Sequence, residues 1–279
     1  MKQDRVASYV RENLRACQLK QLDILKEIDR ICRKHQLTYW LDGGTLLGAV
    51  RHGGFIPWDD DIDIAMPLED MKRFVELAPA ELSNHLVLQT AKSYPECKEP
   101  VTKVRDLNSF YVEFADDFMA DYPKGLFVDI FPFIDYPTVS RRWIRKVARG
   151  ICVSYSILHS RHYYSWRALV NFFYFGLKYE VLQVLWHLSK LCCKSGTYMS
   201  NILINNGYGI MHRKDAILPV STIRFEDADF LAPANPDAYL KDLYKDYMQI
   251  PPVEKQKIHA IFIHPDLRQA GSGQAANYE

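Results

Sequence analysis

The residues Trp58-Asp59-Asp60-Asp61-Ile62-Asp63-Ile64-Ala65-Met66 carry the strongest signal in this sequence, because acidic and aliphatic residues alternate in their second half. Successive side chains of a β-strand point to opposite faces. A strand over 61–66 therefore places Asp61 and Asp63 on one face and turns Ile62 and Ile64 toward the core. A strand with one buried face cannot slip by one residue without exposing that face, so the register of the carboxylates is fixed.

The paired carboxylates predict a metal site. Side chains two residues apart on a strand lie roughly 6.5–7 Å apart, which lets both close on one divalent cation or bridge two. Hard oxygen ligands favour Mg²⁺ or Mn²⁺ over zinc. A solvated acidic turn is the common alternative, and the interleaved isoleucines argue against it. A calcium EF-hand loop is excluded, since its sixth position requires glycine and this sequence has Ile64 there.

A glycine-rich junction lies upstream of the acidic strand. Gly43, Gly44 and Thr45 follow a short β-prone run over 38–41, and a helix over 45–51 begins there. Free amides at a helix start bind anions. A Gly-Gly pair is often only a turn, but next to the acidic strand it predicts a loop that holds phosphates bridged to the metal.

A third carboxylate is expected from a neighbouring strand. The run 127–134 is apolar except for Asp129. A buried, unpaired carboxylate is costly. Asp129 is therefore a metal ligand, a general base, or a core residue that caps a loop.

Four basic residues are candidates for contact with phosphates bound at the glycine loop. Lys103 and Arg105 alternate on a predicted strand over 101–105 and so share a face, with surface charge on an edge strand as the alternative. Arg51 and His52 lie between the glycine loop and the acidic strand. For Arg51, a solvated helix end is an equally good interpretation.

The order of elements predicts an α/β (α+β) fold, a mixed sheet core with a helical insertion. A long amphipathic helix comes first, with apolar residues at helical spacing at Leu14, Leu22, Leu25, Ile28, Ile31 and Cys32. Besides the strands above, the runs 86–89 and 110–114 favour strands, and 68–82 favours a helix. The predicted division is a core over 1–140, a helical segment over 141–200, a C-terminal return over 201–267 and a disordered tail over 268–279.

The net charge of +1 hides an uneven distribution. The segment 141–194 has ten basic residues and one acidic residue, Glu180, and so carries +9, which leaves −8 for the rest of the chain. The near-zero total excludes a uniformly basic nucleic-acid binder. A basic helical segment rich in aromatic residues can lie on an anionic membrane. The alternative is a helical subdomain that packs its aromatic residues on the sheet.

Targeting and zinc signals are missing from the sequence. The first residues carry charges of both signs, and the longest apolar runs are far shorter than the roughly 20 residues of a spanning helix. The six cysteines contain no CxxC pair. His259 and His264 lack ligand-like spacing and are interpreted as surface residues. We expect a cytoplasmic protein, or one peripheral on the inner face of the membrane.

The stretch LDGGTLLGAVRHGGFIPWDDDIDIAMP, residues 41–67, resembles the signature of the LicD/fukutin-type family of the nucleotidyltransferase-fold superfamily. Three later pieces match the same family in order: Lys103-Val104-Arg105-Asp106, Val128-Asp129-Ile130-Phe131-Pro132, and Tyr247-Met248 with Pro251-Pro252 before Lys255. The resemblance covers about residues 20–265. It departs from the family at Lys245, where glycine is commoner, which leaves the turn there open.

The resemblance implies a nucleotidyltransferase-like catalytic core that transfers a phospho-alcohol from a nucleoside-diphosphate donor to a sugar hydroxyl. It implies CDP-choline as donor, as in bacterial members, or a ribitol donor, as in related ones. The implied acceptor is a surface glycan, a lipopolysaccharide or a teichoic acid precursor, free or lipid-linked. Asp61 and Asp63 would be the metal pair, Asp129 the third acidic residue, and 43–45 the phosphate loop.

Two other functions remain open at this stage. A true nucleotidyltransferase would use the same carboxylates to transfer the nucleotide itself. An inactive binding module is the other alternative, and the presence of all three acidic residues counts against it.

Overall fold

The computed structural model describes residues 2–95, 101–114, 116, 119–159 and 165–270. The helices are α1 (Lys2–His35), α2 (Gly43–His52), α3 (Leu68–Glu81), α4 (Arg141–His159), α5 (Trp166–Cys192), α6 (Lys214–Ile217), α7 (Pro236–Tyr244) and α8 (Leu267–Ala270). The strands are β1 (Trp40–Leu41), β2 (Asp63–Pro67), β3 (Leu86–Gln89), β4 (Thr102–Asp106), β5 (Phe110–Glu113), β6 (Phe127–Pro137), β7 (Ser195–Asn201), β8 (His212–Arg213), β9 (Ser221–Phe225), β10 (Ala228–Ala232) and β11 (Ala260–His264).

A mixed seven-stranded sheet carries the site. Five strands run in the order β1-β2-β6-β4-β3, and β7 pairs with both β6 and β8. The pair β2–β6 is parallel and the other pairs of this sheet are antiparallel. The predicted α+β class with a mixed sheet is confirmed.

The main core lies between this sheet and its helices. Helix α1 buries the predicted apolar side, including Leu25, Ile28 and Ile31, all fully buried. From β2, Ile64 and Met66 are fully buried in the same cluster. The burial of Ile64 and Met66 thus fixes the register of β2, as the alternation in the sequence predicted.

Two local predictions about strands need correction. Strand β2 begins at Asp63 and not at Asp61, because side chains of α1 hold the preceding backbone: the Nε2 amides of Gln18 and Gln21 donate to the carbonyls of Asp59 (2.8 Å) and Asp60 (2.9 Å). Strand β4 is not an edge strand, since it lies between β6 and β3. The edge-strand interpretation of Lys103 and Arg105 was therefore wrong, and both side chains are buried.

The helical segment is an insertion in the sheet. Helices α4 and α5 lie between β6 and β7, which are neighbours in the sheet. Residues 195–200, placed in the helical segment by the sequence, belong to β7. At the other end, Leu267–Ala270 forms a short helix, and residues 271–279 of the predicted tail lie outside the described residues.

Candidate active site

Parallel pairing of β2 with β6 places two of the predicted acidic residues side by side. Asp63 is the direct partner of Asp129 in this register. The backbone N–H of Asp129 also donates to the carbonyl of Ile62 at 2.8 Å, so the pairing holds at the very start of β2. Asp61 lies two residues before Asp63, in the loop held by α1. The three predicted carboxylates thus come from one loop end and two adjacent strand positions.

Lys103 lies on the other side of Asp129. In the antiparallel pair of β4 with β6, Lys103 faces Asp129, and its Nζ lies 2.8 Å from Asp129 Oδ1 and 2.9 Å from Oδ2. Lys103 is 2 % exposed and Asp129 8 % exposed. Lys103 therefore neutralises the charge of Asp129, and its predicted contact with donor phosphates stays a prediction.

The side chain of Arg105 forms its hydrogen bonds within the protein. Its guanidinium donates to Gln89 Oε1 and, at 2.9 Å, to the carbonyl of Gly125, and it lies over the ring of Phe127. With two of its N–H groups used in this way and only 4 % of the residue exposed, Arg105 is anchored within the protein. Its predicted contact with phosphate is not supported by these hydrogen bonds.

The start of α2 lies against the carboxylates. Asp42 caps the helix, and its Oδ1 accepts from the Gly43 amide at 2.7 Å. A Cβ on Gly43 would lie 2.8 Å from Asp63 Oδ2, and one on Gly44 would lie 2.7 Å from Asp59 Oδ2. A side chain at either position would displace one of these carboxylates, and the φ of +50° at Gly43 also favours glycine there. First-turn amides of a helix lack intrahelical acceptors, so this junction can bind an anion beside the carboxylates.

Thr45 holds the acidic strand in place. Its Oγ1 accepts from the backbone N–H of Asp63 at 2.8 Å, and the residue is 3 % exposed. The predicted phosphate loop thus divides into glycines that face the carboxylates and a threonine that positions Asp63.

Arg51 and His52 form the last turn of α2. Arg51 Nη1 donates to the carbonyl of Tyr247 at 3.0 Å, and Arg51 Nε donates to His52 Nε2 at 3.0 Å. Burial lowers the pKa of Arg51, while the charge of Asp59 raises it. Arg51 therefore links the C-terminal return to the acidic cluster, which we define as Asp59, Asp61, Asp63 and Asp129. Its predicted contact with phosphates remains a prediction.

His259 is exposed, as expected from the sequence, but its position beside acidic residues was not foreseen. Among the described residues, Asp60, Asp61 and His259 form a group whose possible metal-ligand atoms all lie within 4.8 Å of one another. A hydrogen bond to Asp60 is the main cause that raises the pKa of His259 to about 9. His259 is thus a cation at neutral pH beside the acidic loop, residues 59–62. No local sequence pattern links it to residues two hundred positions earlier.

Within this group Asp60 acts as an anchor. Its Oδ1 accepts from the His259 backbone N–H at 3.2 Å and lies 3.3 Å from His259 Nδ1. Its Oδ2 accepts from the Ala260 N–H at 2.6 Å and from the Tyr111 hydroxyl at 3.1 Å. A carboxylate has about four lone-pair positions, so Asp60 has little left for a metal. It ties the segment before β11 to the acidic loop and so places His259.

The remaining carboxylates are destabilised by one another. Burial and, after it, the charges of neighbouring aspartates raise the pKa of Asp61 and of Asp63 well above the usual range for aspartate. Burial and the charge of Asp60 raise the pKa of Asp59 to about 7. In the described ranges, no hydrogen-bond donor contacts the carboxylates of these three residues. A bound divalent cation would relieve this repulsion, and the all-oxygen donor set suits Mg²⁺ or Mn²⁺. The donor chemistry of these residues therefore fits such a cation, whereas the predicted set Asp61, Asp63 and Asp129 is not among the groups in the described ranges whose ligand atoms all lie within 4.8 Å of one another.

The C-terminal return closes one side of the site. Burial and then the charges of Asp42, Asp63, Asp59 and Asp61 raise the pKa of Tyr244, a residue that is 44 % exposed overall. The next residue, Lys245, has φ +59°, in the left-handed region that favours glycine. The departure from the family pattern at this position thus leaves the sharp turn in place.

The clustered carboxylates predict that, without metal, the protein becomes less stable as pH rises. Asp59 has a folded pKa near 7 against an ordinary value of 3.8, so the folded state binds the extra proton between these values. The contribution of Asp59 to stability is therefore largest at pH values near 3.8 and is lost as the pH rises through 7. We expect the melting temperature of chelator-treated protein to fall by about 5 °C from pH 5 to pH 8.

Two comparisons complete this prediction. Asp59→Asn should make the profile less steep, with the rest of the slope coming from Asp61 and Asp63, and added Mg²⁺ should restore stability at pH 8. A chelated protein that melts at the same temperature throughout this range would contradict the mutual destabilisation of the carboxylates.

Comparison with known proteins agrees with the resemblance found in the sequence. The LicD/FKTN/FKRP nucleotidyltransferase domain family matches residues 36–169. The lipopolysaccharide cholinephosphotransferase LicD of Haemophilus influenzae is 30 % identical over 274 residues, which cover 89 % of this chain and 96 % of that protein. The human ribitol 5-phosphate transferase FKRP is 56 % identical over 43 residues, covering 15 % of this chain and 9 % of FKRP. An uncharacterized protein of Rickettsia prowazekii, RP689, is 30 % identical over 140 residues, covering 48 % of this chain and 51 % of that protein.

Proposed function

This chain belongs to the LicD/FKTN/FKRP nucleotidyltransferase family, and we propose that it transfers phosphocholine from CDP-choline to a sugar hydroxyl of a surface glycan, lipopolysaccharide or teichoic acid precursor. The observation that carries the proposal is the approach of the α2 start to Asp59 and Asp63 through Gly43 and Gly44. An anion-binding helix start beside a cation-binding carboxylate pair is the arrangement that a diphosphate requires.

The reaction divides among these residues as follows. Asp61 and Asp63 would hold Mg²⁺, with Asp129 as the third acidic residue, and the bound ion would neutralise charge on the donor diphosphate. The amides at the start of α2 bind one phosphate. The acceptor oxygen attacks the phosphorus that bears choline, the bond from that phosphorus to the bridging oxygen breaks, and CMP leaves with that oxygen. The hydroxyl proton passes to a base, for which Asp129 is the sequence candidate.

His259 has a distinct place in this scheme. As a cation beside Asp61, it is suited to binding a donor phosphate or the leaving CMP, and less suited to accepting a proton. Asp60 then contributes by holding His259 in position.

A groove beside the acidic loop is large enough to bind a bulky substrate. It has a volume of about 790 Å³ between α1 and the C-terminal return, and its lining includes Trp58, Ile258 and Ala260. Trp58 precedes the acidic loop, and the other two flank His259. A quaternary ammonium group binds aromatic faces, so Trp58 is a candidate for contact with choline.

A donor screen tests this proposal. Thermal stability is measured with Mg²⁺ and CDP-choline, CDP-ribitol, CDP-glycerol, CDP-ethanolamine or CTP, and CMP release is scored in parallel. A ligand at a hundredfold its dissociation constant stabilises by about 2.7 kcal/mol, so we expect CDP-choline to raise the melting temperature by about 5 °C or more. A response to CTP with none to any CDP-alcohol would favour a nucleotidyltransferase. No response to any nucleotide would favour a binding module.

A further inference from the structure

Helix α5 exposes an apolar stripe along its whole length. Trp166 is 77 % exposed, Phe173 67 %, Leu177 69 % and Leu191 83 %. The exposed apolar residues of this helix are Trp166, Leu169, Val170, Phe172, Phe173, Tyr174, Leu177, Val181, Val184, Leu188 and Leu191. Most recur every three or four residues, which keeps them on one side of a helix about 40 Å long.

The opposite side of α5 is already packed. Trp186 is buried in a cluster with α4, Ser189 accepts a hydrogen bond from Trp143 at 3.1 Å, and Leu182 lies against Gly150. The exposed stripe is therefore a second apolar face and not the one that attaches α5 to the protein. Exposed apolar patches of this extent mark interaction surfaces.

The surroundings of the stripe are strongly basic. Within α4, α5 and the residues that follow to 194, the described part of the chain has one acidic residue, Glu180. It has nine basic residues: Arg141, Arg142, Arg145, Lys146, Arg149, Arg167, Lys178, Lys190 and Lys194. On α4, Arg142, Lys146 and Arg149 are exposed and recur at helical spacing on one face.

We infer that the exposed face of α5 binds the surface of an anionic phospholipid bilayer, with the helix lying in the plane of the interface. Tryptophan and tyrosine prefer that interface, and basic side chains near it are attracted to anionic headgroups. A second copy of the chain would bring two segments of like charge together, which disfavours a dimer through this face. None of the helices in the described ranges is long and apolar enough to cross a bilayer.

The inference is independent of the proposed reaction but has a consequence for it. Strand β6 carries Asp129 near one end, and α4 follows soon after its other end. Binding through α5 would thus hold the catalytic domain at the bilayer, where a lipid-linked acceptor is found.

Vesicle sedimentation tests the inference. We expect the full chain to bind phosphatidylcholine vesicles that contain phosphatidylglycerol at low salt, and to bind pure phosphatidylcholine at least about tenfold more weakly. The triple variant W166S/F173S/L177S should lose at least about tenfold in binding, and so should R142Q/K146Q/R149Q. The matched control L19S/L107S/L267S changes three exposed leucines outside the stripe and should bind like wild type.

A fluorescence measurement keeps the test valid if a triple variant fails to fold. Brominated lipids should quench the wild-type tryptophan fluorescence, and W166F should lose most of that quenching, because Trp40 and Trp186 are buried and Trp58 and Trp143 are partly buried. Three results would overturn the inference: no binding of wild type to anionic vesicles at low salt, unchanged binding by the folded stripe variant, or a dimer in solution that the stripe variant abolishes. None of these results bears on CMP release.

Discussion

Asp61→Asn is expected to lower phospho-alcohol transfer by at least about 10²-fold while leaving the fold intact, and Asp63→Asn should do the same. Both side chains lie among carboxylates whose charges repel one another, so the neutral amide removes a destabilising charge. We therefore expect the metal-free variants to melt at the same temperature as wild type or higher. The increase in stability that Mg²⁺ gives to wild type should be reduced in both.

The opposite directions of these two effects make the prediction specific. A residue that only supports the fold would lose stability and activity together. Asp229→Asn is the matched control, because Asp229 is exposed and lies on β10, a strand of a separate two-stranded sheet. The assay is transfer to the acceptor with melting curves recorded with and without chelator. Retained turnover in folded Asp61→Asn would refute its assignment as a metal ligand.

Lys103→Met is expected to destabilise the protein by about 3 kcal/mol, since removal of one partner of a buried ion pair leaves an uncompensated charge. Asp129 would remain 8 % exposed beside Asp63 with its strongest counter-charge removed. Activity should fall as well, because Asp129 would no longer be held in place. The measurement is urea denaturation with chelator, read as a shift in midpoint.

The double variant Lys103→Met/Asp129→Asn separates stability from catalysis. Replacement of both partners removes the orphaned charge, so most of the lost stability should return, whereas transfer should not. Equal stability of wild type and the single variant would show that the contact between Lys103 and Asp129 contributes little. Recovery of transfer in the double variant would show that Asp129 has no part in the reaction.

The sequence predicted the parts of the site that depend on local pattern. Alternation of charge and isoleucine gave the register of β2, and the lone Asp129 in an apolar run gave the third carboxylate. These succeed because strand periodicity and the cost of burying charge act within a few residues. The predicted start of β2 was wrong, because Gln18 and Gln21 on α1 hold the backbone of 59–60. No sequence pattern near that loop indicates these hydrogen bonds.

Contacts between distant segments account for the other errors. The contact between His259 and Asp60 joins segments about two hundred residues apart, so spacing along the chain could not reveal it. Lys103 and Arg105 were correctly placed on one strand, but their burial depends on β3 and β6 on either side. The sequence left open whether the aromatic residues of α5 pack on the protein or lie exposed, because an apolar helix looks the same in sequence whether its second face is covered or exposed.

The fate of the donor diphosphate tests the proposed reaction most directly. The protein is incubated with Mg²⁺, CDP-choline and a glycan acceptor, and the nucleotide products and the mass of the acceptor are determined together. Phospho-alcohol transfer predicts one CMP released for each phosphocholine added to the acceptor, with both products lost in Asp61→Asn. Release of phosphocholine together with acceptor that has gained CMP would contradict it.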